Sequence, residues 1–199
     1  MPLPAQCPAQ YLFLSNRPAS QIGDRMNLPD RISHPSTWNE ERLLEQCLMR
    51  RTRHSGPGGQ HRNKVETAIE LVHQPSGLTA FAAERRSQDA NRREAVFRLR
   101  VLLAVGIRTV NSFVILPSQL WSQRCRDQRI VCNERHDDFP ALLAEALDAV
   151  DAREYDVRAA AAALSCSTSQ LVRFIARVPD ALAMVNQQRA KRGLHRLMP

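Results

Sequence analysis

The sequence predicts an α+β chain, a small β-sheet with one helix packed on it, followed by an all-α C-terminal segment with helix-turn-helix character. Three observations predict this. Short, partly alternating polar and apolar segments flank a glycine-rich run and a Pro-Gly turn between residues 47 and 83. Residues 87–105 repeat apolar side chains at i, i+3 and i+4. From Phe139 the composition shifts to alanine and leucine, with proline and hydroxyl residues where helices would start.

The elements follow in order. Residues 1–35 carry Pro2, Pro4, Pro8, Pro18, Pro29 and Pro35 and no hydrophobic period, so a poorly ordered leader is expected, with Met26 an alternative start. Ser36 or Thr37 is expected to cap a short helix to about Cys47, with Glu40 and Glu41 in its first turn. Residues 47–52 read as a strand entering the glycine-rich run, 66–73 as a half-buried strand leaving it, and 78–83 as the returning strand. Between the last two, Gln74-Pro75-Ser76-Gly77 has the early proline and late glycine of a tight turn. Ser87 caps the next helix, whose stripe is Ala95, Val96, Leu99, Leu102 and Leu103, and Gly106 ends it. Residues 106–138 read as a connector with one helix. Helices are expected at about 140–150, 156–164, 167–178 and 179–192, the middle pair joined by Leu164-Ser165-Cys166-Ser167. If that pair reads nucleic acid, Thr168, Ser169, Gln170 and Arg173 are its exposed readers. Packing without groove reading is favoured, because this segment is close to charge-balanced. The expected divisions are a leader at 1–35, a loop-bearing domain at 36–110, a connector at 111–138 and a helical segment at 139–199.

The 199 residues carry a formal charge of +8, which favours a polyanionic partner, nucleic acid ahead of an acidic membrane. Arginine greatly outnumbers lysine, and its planar fork suits phosphate contacts. Low aromatic content argues against a protein that reads single strands on aromatic platforms. Cys7, Cys47, Cys125, Cys132 and Cys166 are odd in number and scattered, as free thiols of a reducing compartment are. Cys125, Cys132 and His136 lack the paired spacing and fourth ligand of a zinc site, so neither metal nor cofactor is expected. No apolar run approaches the roughly 20 residues of a membrane span, and residues 11–14 are too short for a signal-peptide core. A cytoplasmic protein with no membrane partner is expected.

The most informative stretch is Ser55-Gly56-Pro57-Gly58-Gly59-Gln60-His61-Arg62-Asn63-Lys64. Its glycines and proline exclude helix or strand interior and suit backbone that approaches something closely. A P-loop needs Ser or Thr after the lysine, and Val65 stands there. The dinucleotide spacing G-x-G-x-x-G also fails, since His61 occupies the third glycine's place. Arg50, Arg51 and Arg53 precede the run, and Arg62 and Lys64 close it. A glycine-rich tip ending in an amide and flanked by cations suits a narrow polyanionic space.

Gly58-Gly59-Gln60 within Ser-Gly-Pro-Gly-Gly-Gln-His-x-Asn-Lys resembles the peptidyl-tRNA hydrolysis loop of class I peptide chain release factors. The resemblance continues through Thr67-Ala68-Ile69-Glu70-Leu71, His73-Gln74-Pro75-Ser76-Gly77-Leu78 and Glu84-Arg85-Arg86-Ser87-Gln88-Asp89-Ala90-Asn91-Arg92. It covers about residues 45–105. Arg62 departs from it, standing where the family usually has valine. The resemblance implies hydrolysis of the ester between nascent peptide and tRNA, inside the ribosome at the peptidyl transferase centre of the large subunit. Water is then the nucleophile. The Gln60 N–H is implied to stabilise the oxyanion and the Gln60 side chain to position water, while Gly58 and Gly59 allow the backbone geometry. His61 lacks an orienting carboxylate in the loop and is assigned to RNA contact. Arg53, Arg62, Lys64, Arg85, Arg86, Arg92 and Arg93 are the other RNA-binding candidates, to rRNA or peptidyl-tRNA.

Fewer than sixty residues precede Gly58, which leaves no room there for a codon-reading domain. The expectation is therefore a short ribosome-rescue relative, monomeric, that hydrolyses peptidyl-tRNA on stalled ribosomes or free large subunits regardless of codon. The Lys/Arg-rich tail of many such relatives is reduced here to Arg189, Lys191, Arg192 and Arg196. Two other classes stay open: a translation factor that binds ribosomal RNA without hydrolysis, and a helix-turn-helix DNA-binding regulator.

Overall fold

The computed structural model describes residues 33–52, 67–109 and 116–199. Among these residues it has the α+β architecture expected: antiparallel sheets and seven α-helices. The first helix starts later than expected. Ser36 and Thr37 belong to a 3-10 turn, Pro35–Thr37, and Trp38 is extended. Asn39 is the cap of α1 (Glu40–Glu45), accepting the Arg42 N–H at 2.9 Å. Most of the expected leader lies outside the described residues, but its last residues are packed in: His34 and Pro35 are buried.

β1 (Cys47–Thr52), β2 (Ala68–His73) and β3 (Thr79–Ala82) form an antiparallel sheet in the order β1-β2-β3. Their bounds agree with the sequence reading to within about two residues. The β2–β3 turn is closed by the Gly77 N–H donating to the His73 carbonyl at 2.7 Å, with Gly77 at φ +70° as only glycine adopts freely. α2 (Gln88–Gly106) is capped as expected by Ser87, which accepts the Ala90 N–H. Its Ala95, Val96, Leu99 and Leu103 join Ile69, Leu71, Ala80, Ala82 and Leu43 in the first hydrophobic core. Gly106 does not end the helix by a left-handed turn; it is the last helical residue, and a side chain there would meet Leu78 Cδ1 at 3.0 Å. Close packing, not dihedral freedom, is what glycine supplies at this position.

The expected connector holds α3 (Gln119–Arg124) and a hairpin of β4 (Cys125–Arg126) and β5 (Arg129–Ile130). Its tip, Asp127 and Gln128, takes φ of +48° and +60° without a glycine, so the usual hairpin signal was absent. α4 (Phe139–Ala152), α5 (Val157–Ala163), α6 (Thr168–Ala176) and α7 (Pro179–Lys191) follow as expected. They build a second core around Leu142, Leu147, Leu171, Phe174 and Trp121, to which α2 contributes Ala104.

A polar seam joins the two cores. Arg108 pairs with Asp148 of α4 at 2.9 Å with both side chains largely buried, and the Thr109 hydroxyl donates to the same carboxylate. Ser118 donates its N–H and hydroxyl to Glu145. His34 lies beside this seam. Its Nδ1 accepts the Ser36 N–H at 3.1 Å, so the neutral ring carries its proton on Nε2 and donates to the Ile107 carbonyl at 3.2 Å.

Burial lowers the pKa of both His34 and His73 below the ordinary value of 6.5, with Asp148 partly opposing it at His34. On acidification the unfolded chain therefore takes up these protons before the folded one. The stability they hold is complete above about pH 6.5 and is lost as pH falls below it. Thermal melts followed by circular dichroism from about pH 7.5 down to about pH 5 are expected to show a falling Tm. A flat or rising Tm over that range overturns the assignment of both rings as neutral.

Candidate active site and nucleic-acid interface

The end of β1 and the start of β2 lie side by side, with Thr52 paired to Ala68. Residues 53–67 join them, of which only Thr67 is described. Gly58, Gly59 and Gln60, with Arg53, His61, Arg62 and Lys64, thus fall outside the described residues. What the structure gives is the footing on which that segment stands.

The footing is built around Asn91, which is fully buried. Its Nδ2 donates to the Thr67 carbonyl at 2.7 Å and to the Arg85 carbonyl at 2.9 Å, and its Oδ1 accepts the Arg85 N–H at 2.8 Å. Two carbonyls and one N–H face the amide, so only this orientation satisfies all three. One side chain ties the residue leaving the loop to the segment leading into α2. Sequence reading placed Asn91 in the family motif without giving it a task. The available signal was an uncharged amide one turn into a helix where neighbours are arginines and the apolar stripe begins.

Cations ring the footing. Arg51 at the end of β1 is exposed, and a cleft of about 160 Å³ groups it with Met49, Ile69, Gln88, Asp89 and Arg92. Arg85 and Arg86 are exposed and have no ion pair among the described residues. Arg92 pairs with Glu40 at 2.7 Å and Arg93 with Asp89 at 2.9 Å. Exposed pairs of this kind contribute about 0–1 kcal/mol, so a phosphate displaces them at little cost. Arg50 faces Glu70 across the strands at 3.7 Å. Arg100, by contrast, is a structural brace that donates to the Trp38 carbonyl at 2.7 Å.

Other candidates resolve into structural parts. His73 is buried, its Nδ1 on the Ser76 hydroxyl at 2.7 Å, and it serves the turn. Among the described residues no three His, Cys, Asp or Glu side chains converge, and Cys125, Cys132 and His136 form no such group. Burial pushes the thiols of Cys47 and Cys166 up to about 11 and about 12, which leaves them poor nucleophiles. No helix among the described residues is long and apolar enough to cross a membrane.

The C-terminal basic residues do not form a free tail. The chain reverses at Gly193 (φ +69°), and Asn186 exchanges two hydrogen bonds with the backbone of Leu197. Arg189 donates to the His195 and Tyr155 carbonyls, and Arg192 lies over the Tyr155 ring at 4.5 Å. α5 and α6 are joined by the expected short turn, which packing holds: Leu164 is buried and its carbonyl accepts Trp121 Nε1–H at 2.8 Å. Thr168, Ser169 and Arg173 are exposed and Gln170 half-buried.

Residues 44–112 match the family model of the RF-1 domain. A chloroplastic peptide chain release factor of Arabidopsis thaliana is 48% identical over 54 residues, 27% of this chain and 12% of the relative. A protein of Danio rerio named mitochondrial translation release factor in rescue is 38% identical over 96 residues, 48% of this chain and 59% of the relative. The chain therefore spans less than two thirds of the length of either relative. No solved structure matches. The matched segment takes in β1, the loop run, β2, β3 and α2, the same unit that Asn91 ties together, and over that segment the chain is similar to the RF-1 domain of peptide chain release factors.

Proposed function

We propose that this protein hydrolyses peptidyl-tRNA on stalled ribosomes or separated large subunits, without reading a codon. The observation that carries the reading is the Ser55–Lys64 motif in the sequence between the paired residues Thr52 and Ala68, with the carbonyl of Thr67 held by the buried Asn91 amide. The likeness to a relative named for rescue supports it. Domain boundaries in this reading are those of the sequence: a hydrolase unit at 36–110, the joining segment at 111–138 and the helices of 139–199. The protein works as a monomer in a ribosome-containing compartment, the cytoplasm on its cysteine usage.

In this mechanism water attacks the ester carbonyl of peptidyl-tRNA. The Gln60 N–H stabilises the oxyanion that forms, and the Gln60 side chain holds the water. Collapse releases the peptide acid and the tRNA 3′-terminal hydroxyl. Arg53, His61, Arg62 and Lys64 on the loop, with Arg85, Arg86, Arg92 and Arg93 beside its footing, contact the phosphates of rRNA and the tRNA end. A rigid base beneath the loop keeps the water and the ester within reacting distance.

Release of labelled peptide from ribosome-bound peptidyl-tRNA tests it, with the A site empty, with a sense codon and with a stop codon. Release is expected irrespective of codon, and Gln60→Ala is expected to lower it by at least about 100-fold with ribosome binding retained. Ribosome binding without release in any state replaces this reading with a non-catalytic factor. Release only at a stop codon removes the rescue assignment.

A further inference from the structure

The β4–β5 hairpin and α6 form one surface with a charge pattern that the fold does not use. Cys125 and Ile130 pair across the hairpin, and Ile130 is buried in the second core. The next pair, Arg126 and Arg129, points to the opposite face, and both are exposed. Like charges directly opposite on a two-stranded ribbon are destabilising. No ion pair among the described residues offsets them, and the adjoining tip adds two non-glycine residues in left-handed backbone.

The tip is nevertheless fixed. The Ser167 N–H donates to the Gln128 carbonyl at 3.1 Å, which locks the hairpin to the residue that caps α6. From there α6 buries Leu171, Val172, Phe174 and Ile175 and turns Thr168, Ser169 and Arg173 outward. Arg173, too, has no ion pair among the described residues. Arg177, one turn on, is committed to the Cys132 carbonyl and the Phe174 ring. Three uncommitted arginines and two hydroxyls thus share a rigid surface on which Asp127 at the tip is the hairpin's one acid.

We infer that Arg126, Arg129 and Arg173, with Thr168 and Ser169, are a second RNA-contact surface that binds the phosphate backbone of ribosomal RNA and holds the protein on its target while the loop acts. Like charge, unpaired arginine forks and hydroxyl donors on a shape held by hydrogen bonds match a phosphate track. No aromatic stands among these residues, so the surface offers no aromatic platform for bases and its cations and hydroxyls suit the backbone instead. The open groove between the two modules is a poorer track, because Glu84, Glu94, Glu134 and Asp137 line it with its arginines. The inference rests on the ribosomal reading above for its choice of RNA.

The test is the full-length chain with Arg126→Ala, Arg129→Ala and Arg173→Ala combined, titrated onto purified ribosomes and onto a short RNA duplex across a salt series. Binding to both is expected to weaken at least tenfold at moderate salt, and the slope of log affinity against log salt to fall by about two to three, one contact per arginine. Peptide release at saturating protein is expected to stay at the parent rate, which separates this surface from the loop. The three arginine-to-lysine replacements are expected to recover most of the affinity, since charge is kept. The alanine variant should melt no lower than the parent, because it removes a repulsive pair. Unchanged affinity and salt slope overturn the proposal whether or not the parent releases peptide. Stronger binding to duplex DNA of the same sequence overturns the choice of RNA. Absence of release by the parent, with the affinity loss intact, overturns the hydrolytic reading and leaves the surface standing.

Discussion

Asn91→Ala is expected to destabilise the fold by about 2–4 kcal/mol and to lower the peptide-release rate at saturating ribosome concentration. The substitution leaves the Thr67 and Arg85 carbonyls and the Arg85 N–H without their partner in a site closed to solvent. An unsatisfied buried group costs about 1–3 kcal/mol, and entry of water into the vacated space keeps the three from adding in full. Asn91→Asp gives a sharper result. It keeps an acceptor for the Arg85 N–H but sets a carboxylate against two carbonyls. Burial and those carbonyls raise its folded pKa above the unfolded value of about 3.9. The protonated acid still donates one hydrogen bond. The deficit of Asn91→Asp relative to the parent is therefore expected to shrink as pH falls toward about 4. Urea unfolding of both proteins at several pH values reads this out, and a deficit that widens on acidification refutes the donor role of the Asn91 amide.

Much of the footing was legible in the sequence, and the part that was not has physical causes. Strand bounds around 47–82 followed from alternation and from the Pro75-Gly77 turn, and the Ser87 cap followed from side-chain chemistry. The Asn39 cap was missed because Ser36, Thr37 and Asn39 are equivalent capping residues, and tertiary packing of His34 and Pro35 decided between them. The β4–β5 hairpin was missed because its strands are two residues long and its tip lacks glycine. Arg92, Arg93 and Arg100 read alike as basic residues off the apolar stripe. Their partners, Glu40, Asp89 and the Trp38 carbonyl, distinguish them, and two of the three are distant in sequence. The reactive loop itself was carried by motif and lies outside the described residues.

Trp121→Ala is expected to cost about 3–5 kcal/mol, the largest stability loss of any substitution considered. The side chain is 1% exposed, meets Phe174 edge to face at 6.1 Å and donates to the Leu164 carbonyl at 2.8 Å. Truncation opens a cavity among α3, α4 and α6 and orphans the carbonyl that closes α5. Trp121→Phe keeps most of the volume and loses only the donor, so a smaller loss of about 1–2 kcal/mol is expected. Chemical denaturation with near-ultraviolet circular dichroism separates the two. Equal losses for both replacements would place the stabilisation in the hydrogen bond alone.

α2 belongs to both cores, and that has a mechanical consequence. At 1.5 Å per residue its 19 residues span about 28 Å, of which about 20 Å separate Asn91 from Ala104. The loop footing and the end of α2 that packs in the second core are therefore set apart by a counted number of helical residues. Each residue of that count also fixes an angle of about 100°. The helix acts as a gauge block: it prescribes how far, and in which direction, anything gripped by the C-terminal helices lies from the point where the loop emerges.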